Sequence, residues 1–295
     1  SGELGVVVVC IGNFDGVHIG HQALLAEAKA DADKLIVVTF WPHPLSVLAP
    51  DRAPKLLSNL PERIRLLKLA GADEVRVVRF TSEVSNWSPE RFIDTILRPL
   101  NPDQIVVGEN FRFGYRAAGT LDDLRASGFE VRQLDLVESR GAAASSTRIR
   151  ELIVNGDVAE AAELLGREYR VSGIVEVGDQ RGRLLGFPTA NLPVSNDAAV
   201  PADGVYAGWV TVPDEAAGPW PAAISVGTNP TFAGLERRVE SYVLDRTDLA
   251  LYGVQIHVDF IQHLRGQIVF DGVDSLITQM RKDVARVREI LDSRY

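Results

Sequence analysis

The sequence predicts two successive units. The first is an α/β unit on a mostly parallel sheet; the second is an antiparallel β-barrel or sandwich that ends in a helix. Three observations carry this. Up to about residue 134, short apolar runs alternate with helical patterns of about 10–15 residues, the mark of βαβ units. After Gly166, strand-like runs follow one another with only Gly- and Pro-rich clusters between them. The chain has 295 residues, which suits one large or two ordinary domains. The change of texture places the boundary near Arg167, giving units 1–167 and 168–295.

The elements follow in order. Val6–Ile11 is a buried strand, and His21–Lys29 a helix with Leu24, Leu25 and Ala28 on one face. Leu35–Phe40 is a second strand. Pro61–Ala70 is a helix with Ile64, Leu67 and Lys68 at helical spacing, stopped by Gly71. Val75–Phe80 is a strand. Ser88-Pro89 opens a helix, with serine as cap and proline in the first turn; Phe92, Ile93, Ile96 and Leu97 form its apolar face. Gln104–Gly108 and Phe129–Leu134 are strands on either side of a short helix, Leu121–Ala126. Two more helices, Thr147–Val154 and Val158–Leu165, are divided by Asn155-Gly156. The second unit has strands at Tyr169–Val177, Val205–Val212, Ala222–Val226, Val239–Leu244 and Val254–Ile261. A helix over Ser275–Leu291 carries Leu276, Ile277, Met280, Val284, Val287 and Leu291 on its apolar side.

Composition bounds the function. Hydrophobic residues make up 46% and charged residues 24%, with 25 Gly and 15 Pro. These globular values exclude a wholly disordered, collagen-like or coiled-coil chain. Lys and Arg total 31 against 40 Asp and Glu, for a net charge of -9. That balance argues against a nucleic-acid binder but leaves room for a local basic pocket around a small anion. The single cysteine, Cys10, excludes an internal disulfide, and its apolar setting suits a buried thiol in a reducing compartment. The first apolar run is too short to span a membrane and no basic segment precedes it. The chain therefore reads as cytoplasmic and free of membrane, with its oligomeric state open.

A first chemical site falls at the opening strand-to-helix turn, Gly12-Asn13-Phe14-Asp15-Gly16-Val17-His18-Ile19-Gly20-His21. Free N–H groups and the positive dipole end of a helix start suit phosphate. His18 and His21 are three apart and share a face in the first helical turn, where imidazoles can hydrogen-bond a transferring phosphate. Two nearby histidines also serve as surface residues or metal ligands, although no cysteine or third histidine is near. Ser145-Ser146-Thr147-Arg148 opens a later helix; hydroxyls cap it and Arg148 carries a fork of donors for phosphate. Read alone, it is an ordinary cap.

A second site falls in the strand-rich half. The run from Gly178 to Asn191 contains Gly178, Arg181, Gly182 and Arg183 in a glycine-rich basic loop, able to wrap polyphosphate or simply to form a long hairpin. Thr189 and Asn191, two apart in an extended segment, share a face. A hydroxyl and an amide oxygen can complete a Mg²⁺ site whose other ligands are ATP oxygens and water. Glu240 is a charge within an apolar strand-like run; it either meets solvent, pairs with Arg237 or Arg238, or performs chemistry.

These motifs also carry a resemblance. His18-Ile19-Gly20-His21 is similar to the HxGH motif of the nucleotidyltransferase superfamily, and the string from Gly12 to His18 resembles its flavin adenylyltransferase branch. Gly108-Glu109-Asn110-Phe111-Arg112-Phe113-Gly114 and Thr39-Phe40-Trp41-Pro42-His43-Pro44 resemble two further loops of that branch, with Trp41 where an acidic residue is expected. Pro188-Thr189-Ala190-Asn191 resembles the PTAN signature of riboflavin kinases. Gly204-Val205-Tyr206-Ala207, Gly227-Thr228-Asn229-Pro230-Thr231-Phe232, Arg238-Val239-Glu240 and Leu251-Tyr252-Gly253 follow in family order.

The whole chain thus resembles the prokaryotic bifunctional riboflavin kinase/FMN adenylyltransferase family. The resemblance implies a Rossmann-like nucleotidyltransferase domain followed by a β-barrel kinase domain. It implies that riboflavin and ATP give FMN and ADP in the second, and that FMN and ATP give FAD and pyrophosphate in the first. Glu240 is then the base on the riboflavin hydroxyl, Thr189 and Asn191 hold Mg²⁺, and the loop with Gly178, Arg181, Gly182 and Arg183 covers the phosphates. His18, His21 and Arg148 stabilise the adenylyl transfer; Gly12, Phe14, Asn110, Ser146 and Thr147 bind its nucleotide or substrate. The alternatives are a version with one silent module, a flavin-binding regulator on the same scaffold, and transfer to another phosphate ester.

Overall fold

The computed structural model describes residues 5–109, 111–135, 138–139, 142–177, 186–213, 218–231 and 234–293. Contacts divide the chain into two units, Ser1–Ser146 and Thr147–Tyr295. The change of texture near Arg167 comes later because two short helices, Ser146–Asn155 and Val158–Leu165, intervene. The second of these packs against strands of the barrel.

The first unit is built on a five-stranded sheet. Its strands are β1 (Val7–Ile11), β2 (Lys34–Trp41), β3 (Glu74–Arg79), β4 (Gln104–Gly108) and β5 (Glu130–Leu134). The order is β3-β2-β1-β4-β5, and every pairing is parallel. Continuous apolar runs make β1 and β2, as expected for strands covered on both faces. Alternate residues of β1 enter different cores. Val9 and Ile11 pack with Phe92, Ile93, Leu97 and Leu124 on one face. Val8 and Cys10 pack with Leu25, Ala28, Leu66 and Leu67 on the other. Burial pushes the Cys10 thiol up to about 12, so it stays protonated and inert. The chain leaves β1 toward β2 on one side and enters β4 on the other. The β1/β4 border is therefore the switch point, outside whose carboxyl end open α/β sheets place ligands.

Two helical readings are corrected. The buried face of the helix Leu60–Leu69 is Arg63, Leu66 and Leu67, while Lys68 is exposed. The Ser88-Pro89 helix has its cap, with Ser88 Oγ accepting from the Arg91 N–H at 3.2 Å. It then widens into a π turn over Ile93–Leu97 and tightens into a 3₁₀ turn over Arg98–Leu100. Pro99 lacks the N–H that would extend regular α structure. A small two-stranded sheet, β6 (Glu138–Ser139) with β7 (Ala142–Ala143), ends the unit.

The second unit is a nearly closed antiparallel barrel. Its strands are β8 (Tyr169–Ile174), β9 (Ala190–Pro193), β10 (Gly204–Thr211), β11 (Trp220–Thr231), β12 (Gly234–Val243) and β13 (Gln255–Arg265). The order is β8-β13-β10-β11-β12-β9. The two ends approach through a bridge between Glu176 and Asn191. A Cβ on Gly173 of β8 would lie 2.9 Å from Leu192 of β9, so the barrel closes tightly only around a residue without a side chain. The sequence pattern missed β9, because Pro188, Asn191 and Pro193 mask it. The terminal helix, Val273–Asp292, lays Val287, Ile290 and Leu291 over Ala207, Leu244 and Ile261 on the outer face.

Candidate active sites

In the first unit, the turn after β1 brings together most of the predicted residues. Gly12 lies directly after β1, and its N–H donates to the Val38 carbonyl at 3.1 Å. A Cβ there would meet the Phe14 ring at 3.2 Å. His18 caps the first helix, Ile19–Ala30, its Nδ1 accepting from the His21 N–H at 3.4 Å. The two imidazoles stack at 3.7 Å and 19°, and Phe14 meets His21 edge-on at 5.1 Å. The glycine of the motif has a steric reason. A Cβ on Gly20 would lie 3.1 Å from the His18 ring. Burial, His18 and Arg63, in that order, hold His21 well below the usual 6.5, so it is neutral at physiological pH. Its Nδ1 is buried without a hydrogen-bond partner.

Sequence reasoning missed what holds this turn. Asp15 and Arg63 form a buried ion pair at 3.0 Å. Arg63 also donates to the Asn13 carbonyl at 3.0 Å, and its guanidinium lies 5.5 Å from the Trp41 ring centre. The signal was present: Arg63 is three and four residues before Leu66 and Leu67, on their face. Ser146 Oγ donates to the Asp15 carbonyl at 2.8 Å. Thr147 is exposed, and Arg148 pairs with Glu160 at 2.9 Å. Asn110 lies outside the described residues.

Beside the turn opens a cavity of about 520 Å³, with Gly12 and Asn13 at one side and Phe40, Phe80, Phe111 and Tyr115 among its walls. Aromatic walls of this kind accept a flat ring system. Phe113, from the same predicted loop as Phe111, stacks on it at 5.7 Å and is buried in the core.

In the second unit, Asn191 of β9 pairs in register with Glu240 of β12, and Glu240 with Ser225 of β11. Residues directly opposite across a ladder share a face, so the three side chains rise together. Tyr242, two residues on, shares that face and packs in the cluster under the terminal helix. Glu240 and Arg238 line a cavity of about 440 Å³ with Asp203, Thr228 and Gln267. Arg237 is engaged elsewhere, with Asp203 at 2.7 Å. A second cavity of about 480 Å³ is lined by Thr189, Ser241, Arg246, Asp248 and Tyr252.

A divalent cation fits the donors here. Asn191 is 5% exposed and its Oδ1 is buried without a hydrogen-bond partner, a costly state unless a ligand satisfies it. Among the described residues no cluster of three His, Cys, Asp or Glu could hold a metal by itself. Gly178, Arg181, Gly182 and Arg183 lie outside the described residues.

The first unit thus has a histidine turn at the switch point of a doubly covered parallel sheet, and the second a carboxylate beside an orphaned amide oxygen, which makes two separate candidate centres. The family models agree in both halves: FAD synthetase matches residues 3–148 and riboflavin kinase residues 165–291. A bifunctional riboflavin kinase/FMN adenylyltransferase of Listeria monocytogenes is 38% identical over 94% of this chain and 90% of its own. One of Escherichia coli is 36% identical over 96% and 92%. The crystal structure of a macrolide-efflux protein from Streptococcus pneumoniae superposes with a TM-score of 0.87 at 35% identity, covering 97% of this chain and 95% of its own. The chain belongs to the bifunctional riboflavin kinase/FMN adenylyltransferase family. That family uses ATP and, with it, a divalent metal.

Proposed function

We propose that this transferase performs two consecutive reactions, phosphorylating riboflavin to FMN in residues 168–295 and adenylylating FMN to FAD in residues 1–167. The observation that carries the kinase reading is the cross-strand pairing of Asn191 with Glu240. It sets an unsatisfied amide oxygen beside a carboxylate, at strands that line two cavities. The cavity at Thr189 takes the nucleotide and the one at Glu240 takes the riboflavin hydroxyl end. Thr189 and Asn191 hold Mg²⁺, which neutralises phosphate charge when bound. Glu240 accepts the proton of the 5′-hydroxyl as it attacks the γ-phosphate, and ADP leaves. Gly178, Arg181, Gly182 and Arg183 cover the phosphates.

For adenylyl transfer, the aromatic-walled cavity of the first unit receives the flavin ring. The FMN phosphate is already anionic at neutral pH and needs no strong base. It attacks the α-phosphate of ATP, and pyrophosphate leaves. His18, His21 and Arg148 supply hydrogen bonds to the developing charge. Neutral His21 donates from one ring nitrogen without adding net charge. Gly12, Phe14, Asn110, Ser146 and Thr147 shape the nucleotide and substrate site. No helix among the described residues is long and apolar enough to cross a membrane; a cytoplasmic location is the reading that goes with the water-soluble flavin and nucleotide substrates proposed.

The deciding experiment is incubation with riboflavin, ATP and Mg²⁺, with flavins separated by chromatography over time. FMN should rise first and FAD follow. FMN without FAD would show a silent first module, and flavin bound without ATP consumption would show a regulator.

A further inference from the structure

We propose that Arg63, through its buried pairing with Asp15, is a positioning residue for adenylyl transfer: it sets the backbone turn that carries the two histidines. The inference rests on the adenylyl-transfer reading of the first unit. Arg63 is 0% exposed and Asp15 2%, the most complete burial of an opposite-charge pair among the described residues. Their bonds tie the turn to neighbouring elements. Arg63 Nη1 donates to the Asn13 carbonyl at 3.0 Å and to the Phe40 carbonyl at 3.4 Å. Thr39 Oγ1 donates to the same Asn13 carbonyl at 3.0 Å. Asp15 accepts from the Leu57 N–H at 3.0 Å and from the Ser58 N–H and hydroxyl at 3.1 Å each. The Ser58 Oγ in turn accepts from the Gly16 N–H at 3.1 Å. Three points of the turn, Asn13, Asp15 and Gly16, are thereby tied to β2, to the helix Leu60–Leu69 and to the segment before it.

The turn needs such holding. Phe14 has φ 51° and Val17 φ 40°, a left-handed conformation that a β-branched residue resists. Strain of this kind persists only where the surroundings over-determine it. His18 follows Val17 directly, and His21 stacks on His18, so the angle at Val17 sets where both imidazoles point. A buried ion pair is a poor device for stability, since well-packed apolar residues often serve as well or better. A fork of donors aimed at carbonyls of a strained turn serves geometry, and small misplacements of reacting groups cost about 10²-fold in rate.

The test uses the full chain, with FMN and ATP supplied and FAD formation followed. Arg63→Lys keeps the charge toward Asp15 but loses the fork to the carbonyls. It should lower kcat by about 10–100-fold, with KM for FMN changed less than about threefold. Arg63→Gln should lower both kcat and the thermal midpoint. Combining Arg63→Gln with Asp15→Asn removes the uncompensated buried charge, and should recover the midpoint without recovering kcat. A purely structural pair would not separate these two readouts. A Lys variant with kcat within about threefold of wild type, or a double variant that regains kcat with the midpoint, overturns the proposal. Should Arg63→Gln not fold, the Lys variant decides alone. Wild-type chain that makes FMN from riboflavin but no FAD from FMN would instead overturn the underlying reading.

Discussion

His21 stacks on His18, meets Phe14 edge-on, and is held neutral by burial and by two neighbouring groups. Two predictions belong to this residue. His21→Ala should lower kcat for FAD formation from FMN by about 10²–10³-fold and leave riboflavin phosphorylation intact; undiminished FAD synthesis would remove the histidine from the mechanism. The second concerns pH. The folded value lies below 6.5, so as pH falls the unfolded chain binds the proton first. The stability associated with neutral His21 is complete above that value and is lost as pH falls toward the folded one, at no more than about 1.4 kcal/mol per pH unit. The urea midpoint of His21→Gln should therefore drop less than that of wild type between about pH 7 and pH 5. Equal drops would place the proton uptake elsewhere. The histidines were legible because their spacing is a motif; Arg63 shares the face of Leu66 and Leu67, but a charged residue in a helix reads as surface until its buried partner is known.

Elements were legible where a single periodicity ruled. β4, Leu121–Ala126 and Val158–Leu165 have the bounds that their apolar patterns imply. β9 was hidden, since a short strand with polar and proline residues gains its identity from pairing with β12. The π turn at Ile93–Leu97 was also invisible, because apolar spacing does not distinguish it from α structure. The terminal helix has polar anchors besides its apolar face, the more buried of them at Asp283. Arg265 donates to Asp283 from Nε and Nη2 at 3.0 and 2.6 Å, and Gln279 donates at 2.9 Å. Asp283→Ala leaves Arg265 half-buried and unpaired, and should cost the second unit about 2–3 kcal/mol. Chemical denaturation followed by the barrel tryptophans checks this; a loss under about 0.5 kcal/mol would mark the anchor as idle.

At the scale of the whole chain, the two centres use separate parts of the sequence and the same co-substrate. Glu240→Gln should lower riboflavin phosphorylation by about 10²-fold or more and leave FAD formation from supplied FMN unchanged. Mixing that variant with His21→Ala should restore FAD synthesis from riboflavin after a lag, because one protein makes the FMN that the other consumes. No FAD from the mixture, with each single activity intact, would mean that FMN does not pass between molecules. Thr189→Ala and Asn191→Ala should raise the Mg²⁺ concentration needed by the kinase step alone; an unchanged requirement would reassign the metal ligands.

Composition and periodicity determined the two-unit architecture, since helix starts, strand runs and glycine-rich turns are local consequences of local residues, and the ordered motifs carried the resemblance to the family. The net charge of -9 spoke against nucleic acid but carried no sign of the proposed phosphate sites, which would rest on a few directed donors rather than on overall charge. Tertiary structure alone decided what stands beside what. It set Asn191 against Glu240 across two strands, and it brought Arg63 and Asp15 together across 48 residues of chain. Such pairings come from sheet register and core packing, and no stretch of sequence carries them by itself.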